Sequence, residues 1–93
     1  MMREIKLNRA YRHFKGNVYY VHLLAESSET GERMVVYQAM YPPYKIYVRP
    51  LHMFMSEVDK EKYPNSQQSF RFELVWWCNF TIFKGVCNYD FVI

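Results

Sequence analysis

A turn followed by a strongly β-favouring run, residues 27–41, constrains the fold more than any other stretch of the chain. Thr30-Gly31 provides the turn, because glycine adopts positive φ without a Cβ clash. The run from Met34 to Tyr41 is rich in β-branched and aromatic side chains, which suit a half-buried pleated surface. Pro42-Pro43 ends the run, since neither residue can donate a hydrogen bond to a neighbouring strand. We therefore expect a strand here, on which the rest of the chain pairs and packs.

Alternation of apolar and polar residues predicts the other strands. We expect strands at 18–25, 45–49 and 70–74. In the first of these strands, one face would carry Tyr19, Val21, Leu23 and Ala25; in the strand at 33–41, one face would carry Val35, Tyr37, Ala39 and Tyr41. A short helix is expected near 50–58, because Leu51, Phe54, Met55 and Val58 recur at spacings of three and four residues.

The C-terminal segment is unusually apolar for a chain of 93 residues. Lys84-Gly85 can turn a hairpin between about 76–83 and 86–92, packed on the rest of the domain. The alternative is an exposed apolar patch for a protein partner, for self-association or for a membrane surface. Polar residues interrupt the segment too often for a membrane span. On two neighbouring strands of such a hairpin Cys78 and Cys87 could touch, but reduced thiols are expected in a chain without a signal peptide.

Composition predicts one folded domain with a mild basic bias. Half of the residues are hydrophobic, 19% are aromatic and the formal net charge is +3, so disorder is not expected and an anionic partner is permitted but not required. Basic side chains crowd the first fifteen positions, an arrangement that is most often a solvated arm. No apolar run precedes a cleavage site, so we expect a cytoplasmic protein.

Six short motifs resemble the small bacterial domain-of-unknown-function family 1653. They are His13-Phe14-Lys15-Gly16-Asn17, Ser28-Glu29-Thr30-Gly31-Glu32, Val35-Val36-Tyr37-Gln38-Ala39, Val48-Arg49-Pro50-Leu51, Met53-Phe54 and Arg71-Phe72-Glu73. Their order and spacing fit along about residues 11–73, and jointly they are specific. The resemblance implies a compact β-rich domain of SH3-like barrel character, and no established activity. Pro42-Pro43 and the segment after Glu73 depart from the family's pattern.

The expected fold is thus all-β, a small SH3-like barrel with one short helix and a C-terminal hairpin. Residues 1–93 would form a single domain, in which 11–73 are the barrel and 74–93 an apolar extension. No serine, cysteine or carboxylate pair lies in a pattern typical of catalysis, and the three histidines lack metal-ligand spacing. We expect neither an enzyme nor a bound cofactor or metal.

Aromatic and basic side chains together favour a binding surface. Nucleic acid or a nucleotide-like ligand would be recognised by Tyr37, Gln38, Tyr47, Arg49, Lys15 and Arg71, because bases stack on aromatic rings and phosphates attract cations. The structural alternative is that Tyr37 and Tyr47 only cover the surface of the sheet and bind no ligand. The competing hypothesis is a protein-interaction module that uses the C-terminal extension or a sheet edge.

Two residues permit a structural or a functional interpretation. Gln38 requires a partner for its amide in an otherwise apolar strand, and Arg49 is held extended by the proline that follows it. Glu29 or Glu73 can brace Arg49 or Arg71 as ion pairs. Alternatively, Gln38 and Arg49 orient a small anion, and an accessory enzyme would need Glu29, Gln38, Arg49 and His52 in one pocket.

Overall fold

Residues 3–75 are described by the computed structural model, and they form one antiparallel sheet with one short helix. The elements are β1 (Arg9–His13), β2 (Val18–Glu26), β3 (Arg33–Ala39), β4 (Ile46–Pro50), α1 (Leu51–Phe54) and β5 (Phe72–Leu74). The strand order is β4-β3-β2-β1-β5. The mostly-β prediction is confirmed. Within residues 3–75, β4 and β5 are the edges of an open sheet, so a closed SH3-like barrel is not confirmed. The predicted hairpin, both cysteines and the apolar patch lie outside the described residues.

The turn between β2 and β3 has the chemistry that its sequence predicts. Gly31 adopts φ +77°, which costs a residue without a Cβ little. Its N–H donates to the carbonyl of Ser27 at 2.8 Å, and the N–H of Ser27 donates to the carbonyl of Glu32 at 2.8 Å. These bonds close the loop, and β2 pairs with β3 along seven register positions from Tyr19 to Glu26.

A β-bulge in β2 corrects the predicted face of that strand. The register with β3 shifts between Val21 and Leu23, so one residue is extra on β2. An extra residue exchanges the faces of all side chains that follow. Val21 is fully buried, but Leu23, which was predicted to share its face, is 49% exposed, and Leu24 packs on the core instead. Simple alternation was therefore wrong beyond His22.

Aromatic rings dominate the core. Its buried members are Tyr11, Val21, Val35, Tyr37, Phe54 and Phe72. Phe54 and Phe72 stack with centroids 4.0 Å apart and planes at 7°. A smaller cluster of Ala10 and Val75 lies apart from it. Consecutive residues of β1 therefore join different clusters, which explains why this strand, unlike β3, shows no apolar alternation and was not predicted.

The helix is shorter than its apolar spacing predicts. It ends at Phe54, and the following chain is extended rather than helical. The N–H of Val58 donates to the carbonyl of Ser69, and the N–H of Arg71 donates to that of Ser56, both at 2.9 Å. Val58 is buried by this pairing and not by a helix face. The pairing also brings the segment before β5 beside the segment after α1.

Candidate anion-binding site

A surface groove of about 250 Å³ lies where the β1–β2 turn, β4 and the 55–71 loop meet, and it is called the basic groove below. Its lining residues are His13, Phe14, Lys15, Arg49, Asp59, Lys62, Tyr63 and Arg71. Four of these side chains carry a positive charge and one carries a negative charge. The groove is therefore cationic, although its residues are scattered along the sequence.

Backbone hydrogen bonds fix the walls of the basic groove. The N–H of Phe14 donates to the carbonyl of Arg71 at 2.9 Å, which joins the β1–β2 turn to the residue before β5. Across the groove, Asp59 Oδ1 accepts from the N–H groups of Glu61 and Lys62 at 3.0 and 3.3 Å. An aspartate that binds backbone donors two and three residues ahead shapes a tight turn. The lining is thus preformed by main-chain geometry.

Two arginines of the groove, Arg49 and Arg71, are partly buried without a counter-ion among residues 3–75. Arg49 Nε donates to the Tyr37 hydroxyl at 3.2 Å, and the guanidinium of Arg71 has no hydrogen bond within residues 3–75. Residues 3–75 contain one ion pair, between His52 and Glu32 at 3.2 Å. Cations that lose water usually gain a carboxylate in exchange. Here the guanidinium groups have unused donors beside a groove that can admit an anion.

His13 reports the positive potential of the groove. Its pKa is lowered, first because burial disfavours the charged ring and then because Arg49, Lys15 and Arg71 repel it. His13 Nδ1 accepts the backbone N–H of Lys15 at 3.1 Å. The hydrogen bond assigns the proton of the neutral ring to Nε2. The groove therefore has a neutral donor among its cations.

An aromatic wall lies beside these charges. The His13 and Phe14 rings stack with centroids 4.6 Å apart, and Phe14 meets Tyr63 edge-on at 4.9 Å. Lys15 Nζ lies 5.4 Å from the centroid of the Tyr63 ring. Phe14 and Tyr63 are both half-buried, so part of each ring faces the groove. A planar ligand with a negative group would find complementary surfaces here.

Three of the six residues that the sequence selected for ligand binding meet in this groove, namely Lys15, Arg49 and Arg71. Tyr37 does not offer a face for stacking, because it is 5% exposed and packs in the core. It instead holds Arg49 through its hydroxyl. Tyr47 is 40% exposed and lies against Tyr37 at 5.7 Å, outside the groove lining.

Gln38 lies on the opposite side of β3 from Tyr37, because successive side chains of a strand alternate. Its Oε1 lies 2.7 Å from His22 Nε2, and its Nε2 donates to the carbonyl of Tyr44 at 2.9 Å. The amide is therefore satisfied by its own domain. The structure supports the structural interpretation of Gln38 and places this residue away from Arg49.

The predicted ion-pair braces do not form. Glu73 Oε2 accepts the backbone N–H groups of Ser69 and Phe70, both at 3.1 Å, and pairs with neither arginine. His52 contacts Glu32 rather than a groove residue. Of the four residues that an accessory enzyme would need in one pocket, Arg49 alone lines the basic groove.

Sequence reasoning missed the residues that the 59–68 loop contributes. Asp59, Lys62 and Tyr63 line the groove, yet the sequence patterns selected none of them for ligand binding. A signal was present, because Asp59 precedes a short charged run that ends in an aromatic residue. His13 and Phe14 belong to one of the six family-like motifs, and nothing in their spacing indicated that the loop would fold against them.

Residues 3–75 contain neither a metal-binding cluster of histidine, cysteine and carboxylate groups nor a helix with the length and apolarity to cross a membrane.

The fold and the groove together define a small antiparallel β domain with a cationic surface site. A family model described as "Protein of unknown function (DUF1653)" matches residues 9–74, so the chain belongs to the DUF1653 family. The chain is also similar to a DUF1653 protein from Bordetella bronchiseptica with a crystal structure, at 30% identity and a TM-score of 0.65. The match covers 81% of this chain and 92% of that one. No protein of curated function matches the chain. The predicted family is thereby confirmed.

Proposed function

We propose that this domain is a non-enzymatic, cytoplasmic binding module that recognises nucleic acid or a nucleotide-like ligand at the basic groove. One observation carries the proposal, namely the partly buried Arg49 and Arg71 without a carboxylate partner in the described residues. A phosphate supplies the missing negative charge, and it accepts the several parallel donors that guanidinium groups present. Lys15 and Lys62 add two exposed cations to the same groove.

The aromatic wall supports the same class of ligand. Bases stack on aromatic side chains with about 1–3 kcal/mol per base in single-strand complexes. Phe14 and Tyr63 are the rings that line the groove, so they take the stacking role that the sequence assigned to Tyr37 and Tyr47. A β-rich scaffold with an SH3-like arrangement would present these loops at one end of its sheet.

The test is an amide NMR titration with a mixed-sequence single-stranded oligonucleotide pool at 50 and 200 mM salt. We expect shifts at the amides of the groove, from His13 to Lys15, at Arg49 and from Asp59 to Arg71. If three phosphate contacts form, the affinity should fall roughly 20-fold between the two salt concentrations, because counterions are released on binding.

A matched pair of variants completes the test. Arg49→Gln should weaken oligonucleotide binding at least tenfold. Arg33→Gln removes the same charge from an exposed position of β3 outside the groove and should change the affinity less than twofold. Equal losses in the two variants would mean that net charge alone attracts the oligonucleotide, and the groove proposal would then be abandoned.

A protein-interaction module is the second candidate, and the exposed side of β4 favours it. Ile46 and Val48 are 62% and 58% exposed on an edge strand of the described sheet. Unpaired edges with apolar side chains are templates for strand addition. Binding through this edge would be insensitive to salt and would be lost in Val48→Lys, while the Arg49→Gln variant would retain it.

A further inference from the structure

We propose that the occupant of the basic groove is a single nucleotide unit that ends in a phosphate monoester, rather than the interior of a strand. This inference rests on the proposed function and narrows it. The shared chemistry is that of a terminal nucleoside phosphate, which a free mononucleotide or the phosphorylated end of a strand can supply. The groove presents a separate complement for each part of such a ligand.

The positive charge of the groove provides the complement for the phosphate of the ligand. Arg49, Arg71 and Lys15 line the same groove as His13. After burial, their positive charges also lower the pKa of the His13 imidazole. A phosphate monoester carries about −1.5 to −2 charges at pH 7, whereas a phosphodiester inside a strand carries one. The dianion therefore neutralises the unpaired guanidinium groups better. His13 Nε2–H adds a donor that costs no further repulsion.

Asp59, the one carboxylate of the groove, provides the acceptor for the sugar of the ligand. Its Oδ1 is occupied by two backbone donors, whereas Oδ2 has no hydrogen-bond partner in residues 3–75. An ionised carboxylate is an acceptor only. It attracts the hydroxyl groups of a ribose and repels phosphate. A strand that continued through the groove would bring a flanking phosphate towards this carboxylate, which opposes passage.

The half-buried rings of Phe14 and Tyr63 provide the stacking surface for the base of the ligand. The groove is small, about 250 Å³, so it offers room for one ligand unit and not for several. Phosphate donors, a hydroxyl acceptor and an aromatic wall thus lie in one small concavity. Each of these features alone would be ordinary, and their juxtaposition is what indicates a nucleotide.

The first experiment compares ligands by calorimetry on the full chain. The probes are adenosine 5′-monophosphate, adenosine, inorganic phosphate, and one hexanucleotide with both ends hydroxylated, 5′-phosphorylated or 3′-phosphorylated. We expect adenosine 5′-monophosphate to bind at least tenfold more tightly than adenosine or inorganic phosphate. At least one phosphorylated hexanucleotide should bind tenfold more tightly than the hydroxylated strand, and the two arms distinguish a free nucleotide from a strand end.

The second experiment tests Asp59. In the native protein, adenosine 5′-monophosphate should bind several-fold more tightly than its 2′,3′-dideoxy analogue. Asp59→Asn retains an Oδ1 acceptor for the backbone, so the turn persists, but it loses the negative charge. The preference for ribose should then shrink towards one, while inorganic phosphate binds more tightly. Glu61→Gln removes a nearby exposed charge that does not line the groove and should leave the preference unchanged.

The outcomes separate this inference from the proposed function. A hydroxylated hexanucleotide that binds as tightly as its phosphorylated forms would overturn the terminal-phosphate inference and leave nucleic-acid binding standing. Inorganic phosphate that binds as tightly as adenosine 5′-monophosphate would reduce the groove to a simple anion site. If calorimetry detects binding of no probe and the oligonucleotide pool shifts no groove amide, both proposals fail.

Discussion

Two regions of the domain contain partly buried arginines in opposite states. Arg3 donates from both terminal nitrogens, to the carbonyls of Phe72 and Met55, each at 3.1 Å. Its guanidinium carbon also lies 3.8 Å from the centroid of the Phe70 ring. Arg71, in the basic groove, has no such partner within the described residues. An arginine whose terminal nitrogens both donate to its own chain stabilises the fold, whereas one whose terminal nitrogens are unused is available to a ligand.

The structural arginine also positions the groove. Met55 and Phe70, which Arg3 contacts, lie near the two ends of the 55–71 loop. That loop contributes Asp59 and Arg71 to the groove lining. Arg3 therefore joins the loop ends, and burial lowers its pKa without removing its charge at ordinary pH. Arg3 is bonded through both terminal nitrogens, although its Nε is buried without a partner in the described residues. It holds the loop that presents Arg71, whose guanidinium has no hydrogen bond in that range.

The largest expected effect comes from Arg3→Ala. The variant leaves the carbonyls of Phe72 and Met55 without their charged donors and exposes the Phe70 ring, so the free energy of unfolding should fall by about 2 kcal/mol. Urea denaturation measures the change. The control, Arg33→Ala, alters an exposed arginine at the start of β3 and should stay within about 0.5 kcal/mol of the native protein. If both variants unfolded alike, Arg3 would be a surface charge like any other.

The comparison between these arginines shows where sequence reasoning ends. β3, the turn at Gly31 and the apolar face of Val35 and Tyr37 follow from local chemistry, and the structure contains them. The bulge at His22 does not follow, because one inserted residue leaves the composition of a strand unchanged. The spacing of Val58 predicted a helix, but backbone pairing with Ser69, a distant partner that local spacing does not reveal, makes this segment extended instead.

The candidate site was half predictable. Lys15, Arg49 and Arg71 stand out as cations beside aromatic residues, and the groove contains all three. Tyr37 does contact Arg49, but the stacking role predicted for it was wrong, since residue type alone does not reveal which tyrosine is buried. Asp59 and Tyr63 depend on a loop that is placed by long-range bonds, and no local pattern encodes such a placement.

A smaller effect is expected from Tyr37→Phe, which separates positioning from packing. The ring remains in the core, but Arg49 Nε loses its acceptor. The free energy of unfolding should fall by about 1 kcal/mol, and oligonucleotide affinity should fall several-fold because Arg49 is no longer oriented. Denaturation and calorimetry measure the two quantities. Tyr47→Phe, at the exposed neighbouring ring, is the matched control and should change neither quantity appreciably.

The pH dependence of stability tests the potential of the groove. The pKa of His13 is lower in the folded protein than its usual value near 6.5, so the unfolded chain binds the proton more readily. Stability should therefore decrease as the pH falls through about 6.5, and recover above it. Denaturation at pH 5.5 and 7.5 should show a smaller difference in His13→Gln than in the native protein. An identical difference in both proteins would assign the pH dependence to other groups.

The smallest expected effect is the most informative, and it concerns Arg71→Gln. Because the guanidinium of Arg71 has no partner in the described residues, its removal breaks no hydrogen bond there and relieves repulsion from Arg49 and Lys15. The free energy of unfolding should change by less than about 0.5 kcal/mol, with any gain largest at low salt. Removing a neighbouring cation should also raise the pKa of His13, which an NMR titration of the imidazole can follow.

A loss of about 2 kcal/mol, as expected for Arg3, would show that Arg71 stabilises the fold, and the distinction between the two arginines would disappear. An unchanged stability with at least tenfold weaker binding of oligonucleotide would mean that this charge is kept for a ligand, since the fold has no use for it.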